Sequence, residues 1–500
     1  MFTKILIANR GEIAVRVIRT CREMGIATVA VYSDVDRASL HVRMADEAVH
    51  VGPSEASKSY LRVDRILAAA RETGAQAVHP GYGFLSENAG FARACRDAGL
   101  KFIGPPAEAI ELMGSKTAAR QAMEAAGVPF VPGTTAALSD ADEALAVAER
   151  IGYPVMLKAA AGGGGKGMRL VDSPDALPAA LAQARSEAES AFGDGAVYLE
   201  KAIVRPRHIE VQVLADEHGA VVHLGERECS LQRRHQKVVE ETPSPLVEAN
   251  PHVREKLTAA AVEAARACGY SNAGTVEFLM DADCGFYFLE MNTRLQVEHP
   301  VTELVTGLDL VREQIRIAAG EELGYDQGAV QPRGHAVECR VYAEDPAQGF
   351  LPSPGRISAY SQPAGPCVRV DAGAYPGWTV PLEYDPLIAK LSAWAPSRME
   401  AIDRLRAALA EYRVGGIRTT LPFFRDVLAD EDFRSGDIDT GFVDRFIRDW
   451  SPDKKLNETQ TEAVLQAAGL RFRDKANAAP SSASTRVSAW RRRGRLEGLR

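Results

Sequence analysis

The sequence lacks the features that mark several special classes of protein. Its seven cysteines are scattered, odd in number and free of any CxxC pair, which indicates neither a disulfide framework nor a zinc site. No apolar run is long enough to span a membrane, and Lys4 and Arg10 interrupt the apolar start, so no secretory signal is expected. The net charge of −8 argues against general nucleic-acid binding. These absences favour a globular protein of the reducing cytoplasm.

Length and composition predict several ordinary globular domains. The chain has 500 residues, and domains average about 150 residues. Its first hundred residues alternate predicted strands, such as Lys4–Ala8 and Thr28–Tyr32, with predicted helices, which is the pattern of a parallel α/β sheet. The turn after the first strand has only Gly11 in place of a GxGxxG motif, so dinucleotide binding is not expected.

A loop with two glycines, His79–Gly83, follows the short predicted strand Ala77–His79. Loops at the ends of strands in an open α/β sheet commonly face ligands. The segment is therefore a candidate ligand loop, and a plain turn explains it equally well.

An acidic hairpin is predicted within residues 274–303. Two β-rich runs, Thr275–Met280 and Phe286–Met291, flank a short connection of Asp, Ala, Cys and Gly residues. Folding the chain there brings Glu277 opposite Glu290, at about 5 Å. Two carboxylates so close repel each other unless they share a proton or hold a cation. The hairpin is therefore a candidate cation site.

Polar and apolar residues alternate after the hairpin. An extended chain would put the odd positions, including Leu289, on an apolar face and the even positions on a polar face. The polar positions are Glu290, Asn292, Arg294, Gln296 and Glu298. The side-chain oxygens of Glu277, Glu290 and Asn292 suit Mg²⁺, the guanidinium of Arg294 suits a small oxyanion, and Glu298 could serve as a base. A half-buried strand with a solvated side is the alternative, but this mixture favours a metal–phosphate site.

A glycine-rich loop lies between two predicted strands. Four consecutive glycines, Gly162–Gly165, precede Lys166 and Gly167. The segment is not a P-loop, because glycine rather than Ser or Thr follows the lysine. A turn of this kind can fold over phosphates with bare backbone N–H groups. A flexible hairpin tip is the alternative, and the nearby Lys158 favours the phosphate interpretation.

Two further segments carry charges of potential use. A basic cluster precedes the acidic hairpin and consists of Arg227, Arg233, Arg234, His235 and Lys237. Such a run is usually solvated surface, although this one could supply cations to an anionic substrate. The later predicted strand Gly334–Ala343 puts Glu338 and Arg340 on one face.

Together these segments resemble the biotin carboxylase family of the ATP-grasp superfamily. The motifs that carry the resemblance are NRGEIAVR at 9–16, HPGYGFLSEN at 79–88, GSK at 114–116, KAAAGGGGKGM at 158–168, ECSLQRRHQK at 228–237, EMNTRLQVEHPVTE at 290–303 and HAVECR at 335–340. The resemblance covers residues 1–447. Its most specific part is the motif at 290–303 in combination with the glycine loop.

The resemblance implies a nucleotide site, a metal site and a site for bicarbonate and biotin. The nucleotide site is matched by Lys116, Lys158, Gly163, Gly164, Gly165, Lys166, Gly167, Glu200, Lys201, His208, Gln232 and His235. The ligands of Mg²⁺ (or Mn²⁺) are matched by Glu277, Glu290 and Asn292. The bicarbonate and biotin sites are matched by Tyr82, Lys237, Arg294, Gln296, Val297, Glu298 and Arg340. The expected catalytic residues are Glu298 as base, Arg294, Lys237 and Arg340.

The resemblance also implies a three-part α/β fold. An N-terminal α/β domain is expected over 1–113, an ATP-grasp domain over 114–330 with a mobile lid at about 131–204, and a mixed α+β C-terminal domain over 334–447. Residues 448–500 are predicted to form a short helix, Glu458–Gly469, and a basic tail. Within that tail Ala476–Thr485 is expected to be disordered, because it has few bulky apolar residues.

The implied reaction is the ATP- and Mg²⁺-dependent carboxylation of biotin by bicarbonate through carboxyphosphate. No Met-Lys-Met triplet marks a biotin attachment site, so biotin is expected on a separate biotin carboxyl carrier protein. A carboxyltransferase subunit would complete an acyl-CoA carboxylase such as acetyl-CoA carboxylase, and the chain is expected to be a homodimer. The sequence does not identify the final acceptor.

Three alternatives remain at this point. The chain could be the biotin carboxylase part of a pyruvate carboxylase. It could be another ATP-grasp ligase that joins a carboxylate to an amine, although Arg294, Glu298 and Arg340 argue against that. It could also be a silent subunit that only scaffolds a complex, although every matched position is intact.

Overall fold

The computed structural model describes residues 1–134, 136–159 and 168–451, without the side chains of residues 116, 117, 191 and 192. The predicted glycine loop at 162–167, the predicted helix Glu458–Gly469 and the basic tail lie outside the described residues. Among the helices within the described ranges, none combines the length and apolar character needed to cross a bilayer.

The N-terminal part confirms the predicted α/β opening. Its strands are β1 (Lys4–Ile7), β2 (Ala27–Ser33), β3 (Glu47–Gly52), β4 (Ala77–His79) and β5 (Lys101–Phe102), and its helices are α1 (Gly11–Glu23), α2 (Leu40–Met44), α3 (Val63–Thr73), α4 (Ala89–Asp97) and α5 (Ala107–Gly114). The strands pair in parallel in the order β3-β2-β1-β4-β5. Helix α1 ends before Gly25, whose φ of 71° is left-handed, as expected for a glycine helix stop.

Residues 141–159 and 168–201 form a small sheet with two helices and a hydrophobic core of its own, and we call this segment the lid after the lid predicted at about 131–204. Its helices are α7 (Ala141–Ile151) and α8 (Leu177–Phe192), and its strands are β6 (Val155–Ala159), β7 (Met168–Val171) and β8 (Val197–Lys201); helix α6 (Lys116–Ala125) precedes it. The strands are antiparallel in the order β7-β6-β8. Apolar side chains from residues 138–199 form its core, and α8 packs on β6 and β7. Ser115 separates α5 from α6, and its side chain caps the start of α6.

The remaining elements form a large sheet and its covering helices. The strands are β9 (Arg207–Ala215), β10 (Val221–Arg233), β11 (Gln236–Thr242), β12 (Asn272–Met280), β13 (Phe286–Asn292), β14 (His335–Tyr342), β15 (Glu344–Asp345), β16 (Leu351–Pro352), β17 (Gly355–Arg356), β18 (Ala359–Ser361), β19 (Val368–Ala372), β20 (Thr379–Val380), β21 (Leu387–Ala395) and β22 (Arg413–Gly415). The helices are α9 (Pro245–Ala249), α10 (Pro251–Ala267), α11 (His299–Thr306), α12 (Leu310–Ala318), α13 (Arg398–Glu411), α14 (Leu421–Val427), α15 (Glu431–Ser435) and α16 (Phe442–Asp449).

Eight of these strands make one continuous antiparallel sheet. Their order is β13-β12-β9-β10-β11-β14-β21-β19. The sheet crosses the boundary near residue 330 that was expected between the ATP-grasp and C-terminal domains, because β11 pairs with β14 along Val239↔Cys339 to Thr242↔Ala336. Residues before and after that boundary therefore share one backbone hydrogen-bond ladder, which fixes their side chains relative to one another.

Candidate active site

A cleft of about 840 Å³ opens where the N-terminal loops meet the large sheet. It is lined by most of the residues predicted for substrate, metal and part of the nucleotide site, namely Tyr82, His208, Gln232, His235, Lys237, Glu277, Glu290, Asn292, Arg294, Gln296, Val297 and Arg340. Residues distant in sequence thus converge on one cavity. A large cavity with convergent charged groups is the usual form of a catalytic site.

The acidic hairpin has the predicted register. Glu277 on β12 lies opposite Glu290 on β13, with a bulge just after Glu277. Burial and the charge of Glu277 raise the pKa of Glu290, which is the effect expected of two neighbouring carboxylates. Asn292 lies beside them, and its Nδ2 donates to Glu277 Oε1 at 2.9 Å. These oxygens fit the predicted Mg²⁺ site.

The predicted extended run to Val297 is wrong after Asn292. Strand β13 ends at Asn292, and α11 begins at His299 with Pro300 in its first turn. Proline favours a helix start and cannot donate to a sheet ladder, so the chain turns out of the sheet. Leu289, which the alternation puts on the apolar face, is 42% exposed and lines the cleft.

Lys237 lies at the centre of a group of polar residues on the cleft floor. Its Nζ donates to Glu210 at 2.5 Å, Glu277 at 2.7 Å and Glu298 at 2.8 Å. Burial would lower the pKa of Lys237, but the three carboxylates hold it well above the ordinary lysine value. We call Lys237, its three carboxylate partners, Arg340 and Glu240 the cleft network.

Glu298 is fully buried at the N-terminus of α11. One carboxylate oxygen accepts from Lys237, and the other accepts from Arg340 Nη2 at 3.0 Å. Burial favours protonation, yet the charges of Lys237 and Arg340 hold the pKa of Glu298 well below its ordinary value. The side chain is therefore an ionised carboxylate, which is the state that a general base requires.

The two predicted arginines are fixed by carboxylate and amide oxygens. Arg340 Nε donates to Glu240, so the guanidinium bridges Glu240 and Glu298. Arg294 Nε donates to Glu87 at 2.8 Å, and its other nitrogens donate to Asn292 Oδ1 at 2.7 Å and Gln296 Oε1 at 3.0 Å. Both guanidinium groups line the cleft, where they can bind oxyanions.

His208 and Gln232 lie beside the acidic pair. Gln232 Nε2 is 2.8 Å from His208 Nδ1, and His208 Nε2 is 2.9 Å from Glu277 Oε2. His208, Glu210 and Glu277 are also close enough together to hold a metal ion. The cleft floor therefore offers nitrogen and oxygen ligands around Glu277.

Three other predicted nucleotide residues, Lys158, Glu200 and Lys201, lie on strands of the lid and are not among the residues that line the cleft. Lys158 Nζ donates to Glu200 at 2.5 Å, and Arg120 lies 3.7 Å from Glu200. Lys201 donates instead to the backbone carbonyl groups of residues 152 and 153. The side chain of Lys116 and the residues Gly163, Gly164, Gly165, Lys166 and Gly167 lie outside what the structure describes.

Sequence reasoning missed four acidic residues that hold the site. Glu210 binds Lys237 and Arg227, Glu87 binds Arg294, Glu240 binds Arg340, and the Glu12 carboxylate accepts from the Tyr82 hydroxyl. Glu12 and Glu87 stand in the motifs at 9–16 and 79–88, which is a signal that could have found them.

Of the two interpretations of the basic cluster, solvated surface does not apply to Arg227. Its guanidinium is completely buried and bonds Glu210, Gln212 at 2.8 Å, Thr302 at 2.9 Å and Thr275 at 3.1 Å. The physical reason is the bulged pairing of β9 with β10, which sets Arg227 opposite Glu210 inside the sheet layer.

Three segments of the chain match known protein families. Residues 1–110 match the family described as biotin carboxylase, N-terminal domain. Residues 115–325 match the carbamoyl-phosphate synthase L chain, ATP binding domain. Residues 338–445 match the biotin carboxylase C-terminal domain.

Relatives resemble the chain over nearly its whole length. It is 51% identical over 494 residues to a pyruvate carboxylase subunit of Methanothermobacter thermautotrophicus, covering 99% of this chain and 100% of that relative. It is 55% identical over 442 residues to a biotin carboxylase of Nostoc sp., covering 88% and 98% of the two.

A solved structure shares the fold. The biotin carboxylase domain dimer of Hydrogenobacter thermophilus 2-oxoglutarate carboxylase, in complex with MgADP, ADP and bicarbonate, superimposes with a TM-score of 0.81 at 49% identity, covering 90% of this chain and 99% of that one.

Proposed function

The chain belongs to the biotin carboxylase family, and we propose that Glu298, Lys237, Arg294 and Arg340 perform its chemistry. The reaction is the ATP-dependent carboxylation of biotin by bicarbonate. The observation that carries the assignment is the buried, ionised Glu298 carboxylate, held between Lys237 at 2.8 Å and Arg340 at 3.0 Å. A base so placed can take a proton from an anion bound beside it.

In the proposed first step, bicarbonate lies against Arg294 and Lys237 with Gln296 and Val297 beside it. Glu298 removes its proton, and the resulting anion attacks the terminal phosphorus of ATP, which gives carboxyphosphate and releases ADP. Mg²⁺, held by Glu277, Glu290 and Asn292, would supply positive charge to the phosphates. Phosphoryl transfer depends mainly on positioning and charge neutralisation, and the cations of the cleft offer both.

In the proposed second step, the carboxyl group passes from carboxyphosphate to N1′ of biotin, and the released phosphate takes the proton from N1′. Arg340 stabilises the negative charge that develops on the ureido oxygen as N1′ loses that proton. Tyr82 lies at the same end of the cleft and helps to hold the ring. The Glu12 carboxylate, which accepts from the Tyr82 hydroxyl, fixes the orientation of that side chain. Nucleotide binding falls to Lys116, Lys158, Glu200, Lys201, His208, Gln232, His235 and the glycine loop of the lid.

The simplest test is the response of ATP cleavage to small substrates. The purified chain should cleave ATP only with bicarbonate present and faster when free biotin is added. A ligase that joins a carboxylate to an amine would be indifferent to biotin, and a scaffold protein would not cleave ATP at all. Release of labelled carboxybiotin measures the second step directly.

The chain works with a biotin carrier and a carboxyltransferase, and we infer that both are separate proteins in the cytoplasm. The proposed domain bounds remain 1–113, 114–330 and 334–447, followed by the 448–500 segment, in a homodimer. Co-purification from the native source, followed by identification of the biotinylated partner, tests the carrier. Sedimentation of the purified chain tests the dimer.

Two acceptors are candidates. An acyl-CoA follows from the resemblance of the sequence, while pyruvate is favoured by the match to the pyruvate carboxylase subunit of Methanothermobacter thermautotrophicus, which extends over 99% of this chain. Supplying the reconstituted complex with each acceptor and following loss of carboxybiotin separates the two.

A further inference from the structure

Two buried glutamates face each other beside Arg340. Glu240 on β11 lies directly opposite Glu338 on β14, and both are completely buried. Side chains opposite each other in an antiparallel pair have Cβ atoms about 5 Å apart. Neither residue takes part in the steps proposed above, so their pairing needs a separate explanation.

The hydrogen bonds of this pair engage only one oxygen of each carboxyl group. One oxygen of Glu240 accepts from Arg340 Nε, and Oε2 of Glu338 accepts from Ser392 Oγ at 2.6 Å. Glu240 Oε2 and Glu338 Oε1 have no hydrogen-bond partner among the described residues. Leaving two charged oxygens buried without partners is costly. A single proton held by the pair removes the repulsion between two negative charges and lowers the cost of burying the oxygens that lack partners.

The charges around the pair do not neutralise two carboxylates. Arg340 comes from β14 and is shared with Glu298, which stands at the start of α11. Lys390 comes from β21, where it is also 3.3 Å from Glu12 and donates to the Val297 carbonyl at 2.8 Å. The other ionisable groups near the pair are Lys237 of β11, which three other carboxylates engage, and the buried Cys229, Cys339 and Tyr342, whose pKa values are raised and which therefore add no positive charge.

The titration behaviour agrees with this geometry. Burial raises the pKa of Glu338 to about 8, against the opposing charge of Lys390 and with the help of Glu240. Burial likewise raises the pKa of Glu240 to about 7, against the opposing charge of Arg340. The bound proton belongs to the pair rather than to either residue.

We propose that Glu240 and Glu338 share one proton at neutral pH, so that Arg340 faces one negative charge from the pair rather than two. The pair is a positioning element, since it touches no reacting atom. It rests on the proposed role of Arg340, whose remaining positive potential must stabilise the biotin oxyanion. Loss of the shared proton adds a negative charge near that oxyanion and weakens the second step.

The size of this effect follows from Coulomb's law. An extra charge about 10 Å from the oxyanion, at an effective dielectric constant of about 20, slows the biotin-dependent step on the order of tenfold. The biotin-free cleavage of ATP, which forms no such oxyanion, should respond less. The biotin-dependent rate is therefore expected to fall at alkaline pH, over the pH range in which the pair loses its shared proton.

The first experiment detects the proton without activity. Infrared absorbance of a protonated carboxyl carbonyl is followed as the full chain, free of nucleotide, is titrated from about pH 6 to about pH 10. The native chain should lose a carbonyl signal that both Glu338→Gln and Glu240→Gln lack. Glu313→Gln, which changes a buried carboxyl group outside the cleft, is the matched control and should keep that signal. A native chain with no titrating carbonyl signal beyond that of Glu338→Gln overturns the shared proton.

The second experiment tests the coupling to biotin. Glu338→Gln keeps a permanently neutral group opposite Glu240 and should remove the alkaline limb of biotin-dependent turnover, whereas Glu338→Asp should keep a limb at a displaced pH. An unchanged limb in Glu338→Gln overturns the positioning role. If the native chain shows no response to biotin at any pH, the proposed function fails, while the infrared result still decides whether the proton is shared.

A thermal unfolding series guards against a merely misfolded variant. A carboxyl group with a raised pKa in the folded chain makes the fold less stable as pH rises from about 4.5 to the folded value. Relative to the native chain, the unfolding temperature of Glu338→Gln should therefore rise between about pH 5 and about pH 9. A difference in unfolding temperature between the two chains that stays constant over this pH range contradicts the proposal.

Discussion

The charged side chains of the cleft and those of the lid differ in burial and in the number of their partners. In the cleft, Lys237 contacts three buried carboxylates, and Glu298 is 0% exposed between two cations. In the lid, Lys158 pairs with Glu200, and its side chain remains 34% exposed. The cleft charges belong to strands of one sheet and the start of α11, whereas the lid charges sit on a small sheet with a separate core.

This difference separates two tasks. Groups that transfer protons or stabilise an oxyanion must be in place before the reaction, and a network with several partners for each charge holds them there. Groups that only bind the nucleotide can reorganise as it arrives, and a unit with its own core can shift without disturbing the rest. The predictions below test whether fixed and adaptable charges contribute in this way.

The largest effect is expected from removing the base of the cleft network. Glu298→Gln should lower bicarbonate-dependent ATP cleavage by about 10²–10⁴-fold, because general bases contribute that much. Steady-state ATP cleavage at saturating bicarbonate measures it, after nucleotide affinity is shown to be unchanged. Glu226→Gln, which alters an equally buried carboxylate bonded to Arg254 outside the cleft, is the control. Equal losses in both variants would reduce Glu298 to a structural residue.

A smaller and more selective loss is expected at Arg340. Arg340→Ala should lower carboxybiotin formation by about 10²–10³-fold, as when one donor to an oxyanion is removed. It should spare much of the ATP cleavage that occurs without biotin, since that step forms no ureido oxyanion. Parallel assays of both reactions on one preparation measure the split. Matching losses in the two assays would contradict the separate roles of Glu298 and Arg340.

The dependence of stability on acid pH should also differ between the N-terminal α/β part and the lid. Asp36 is buried and bonds Arg10 at 2.6 and 2.8 Å. Burial opposes its ionisation, but Arg10 holds the pKa of Asp36 at about 2. A depressed folded pKa stabilises the fold above the unfolded value of about 4, and this contribution is lost as pH falls towards 2.

Asp36→Asn should accordingly lower the free energy of unfolding by about 2 kcal/mol at neutral pH, with the difference shrinking in acid. Denaturant unfolding at a series of pH values measures it. Asp142→Asn, on an exposed face of the lid helix α7, should leave the curve nearly unchanged. A pH-independent loss in Asp36→Asn would mean that packing rather than charge is responsible.

The smallest effect is expected in the lid itself. An ion pair as exposed as Lys158–Glu200 contributes about 0.5–1 kcal/mol, so Glu200→Gln should raise KM for ATP about two- to fivefold and leave kcat nearly constant. Initial rates over a range of ATP concentrations measure both constants. A fall in kcat as large as that of Glu298→Gln would place Glu200 with the fixed charges and end the distinction.

Local signals in the sequence predicted the elements well. Alternating strand and helix patterns predicted the N-terminal sheet, and turn residues predicted the hairpin that pairs Glu277 with Glu290. These features depend on neighbours within a few residues. The polar–apolar alternation after Asn292 gave a wrong prediction. It was interpreted as a continuous extended strand, but the segment leaves the sheet and enters α11 at His299.

Such local signals could not predict contacts between segments that are distant in the sequence. The carboxylates around Lys237 come from β9, β12 and the start of α11, and only the order of strands in the sheet brings them together. The pairing of Glu240 with Glu338 likewise depends on β11 lying next to β14, across nearly one hundred residues of chain. The resemblance to a known family supplied the names of site residues, but not the acids that hold them.

The shared ladder between β11 and β14 also bears on how this enzyme can be cut or recombined. A fragment that ended near residue 330 would leave β11 as an unprotected edge strand, with free N–H and C=O groups along Val239 to Thr242. Exposed edges of this kind recruit other chains and aggregate. Exchange of the C-terminal part between relatives should therefore succeed only when both strands of this pair come from the same parent, so β11 and β14 have to be exchanged together.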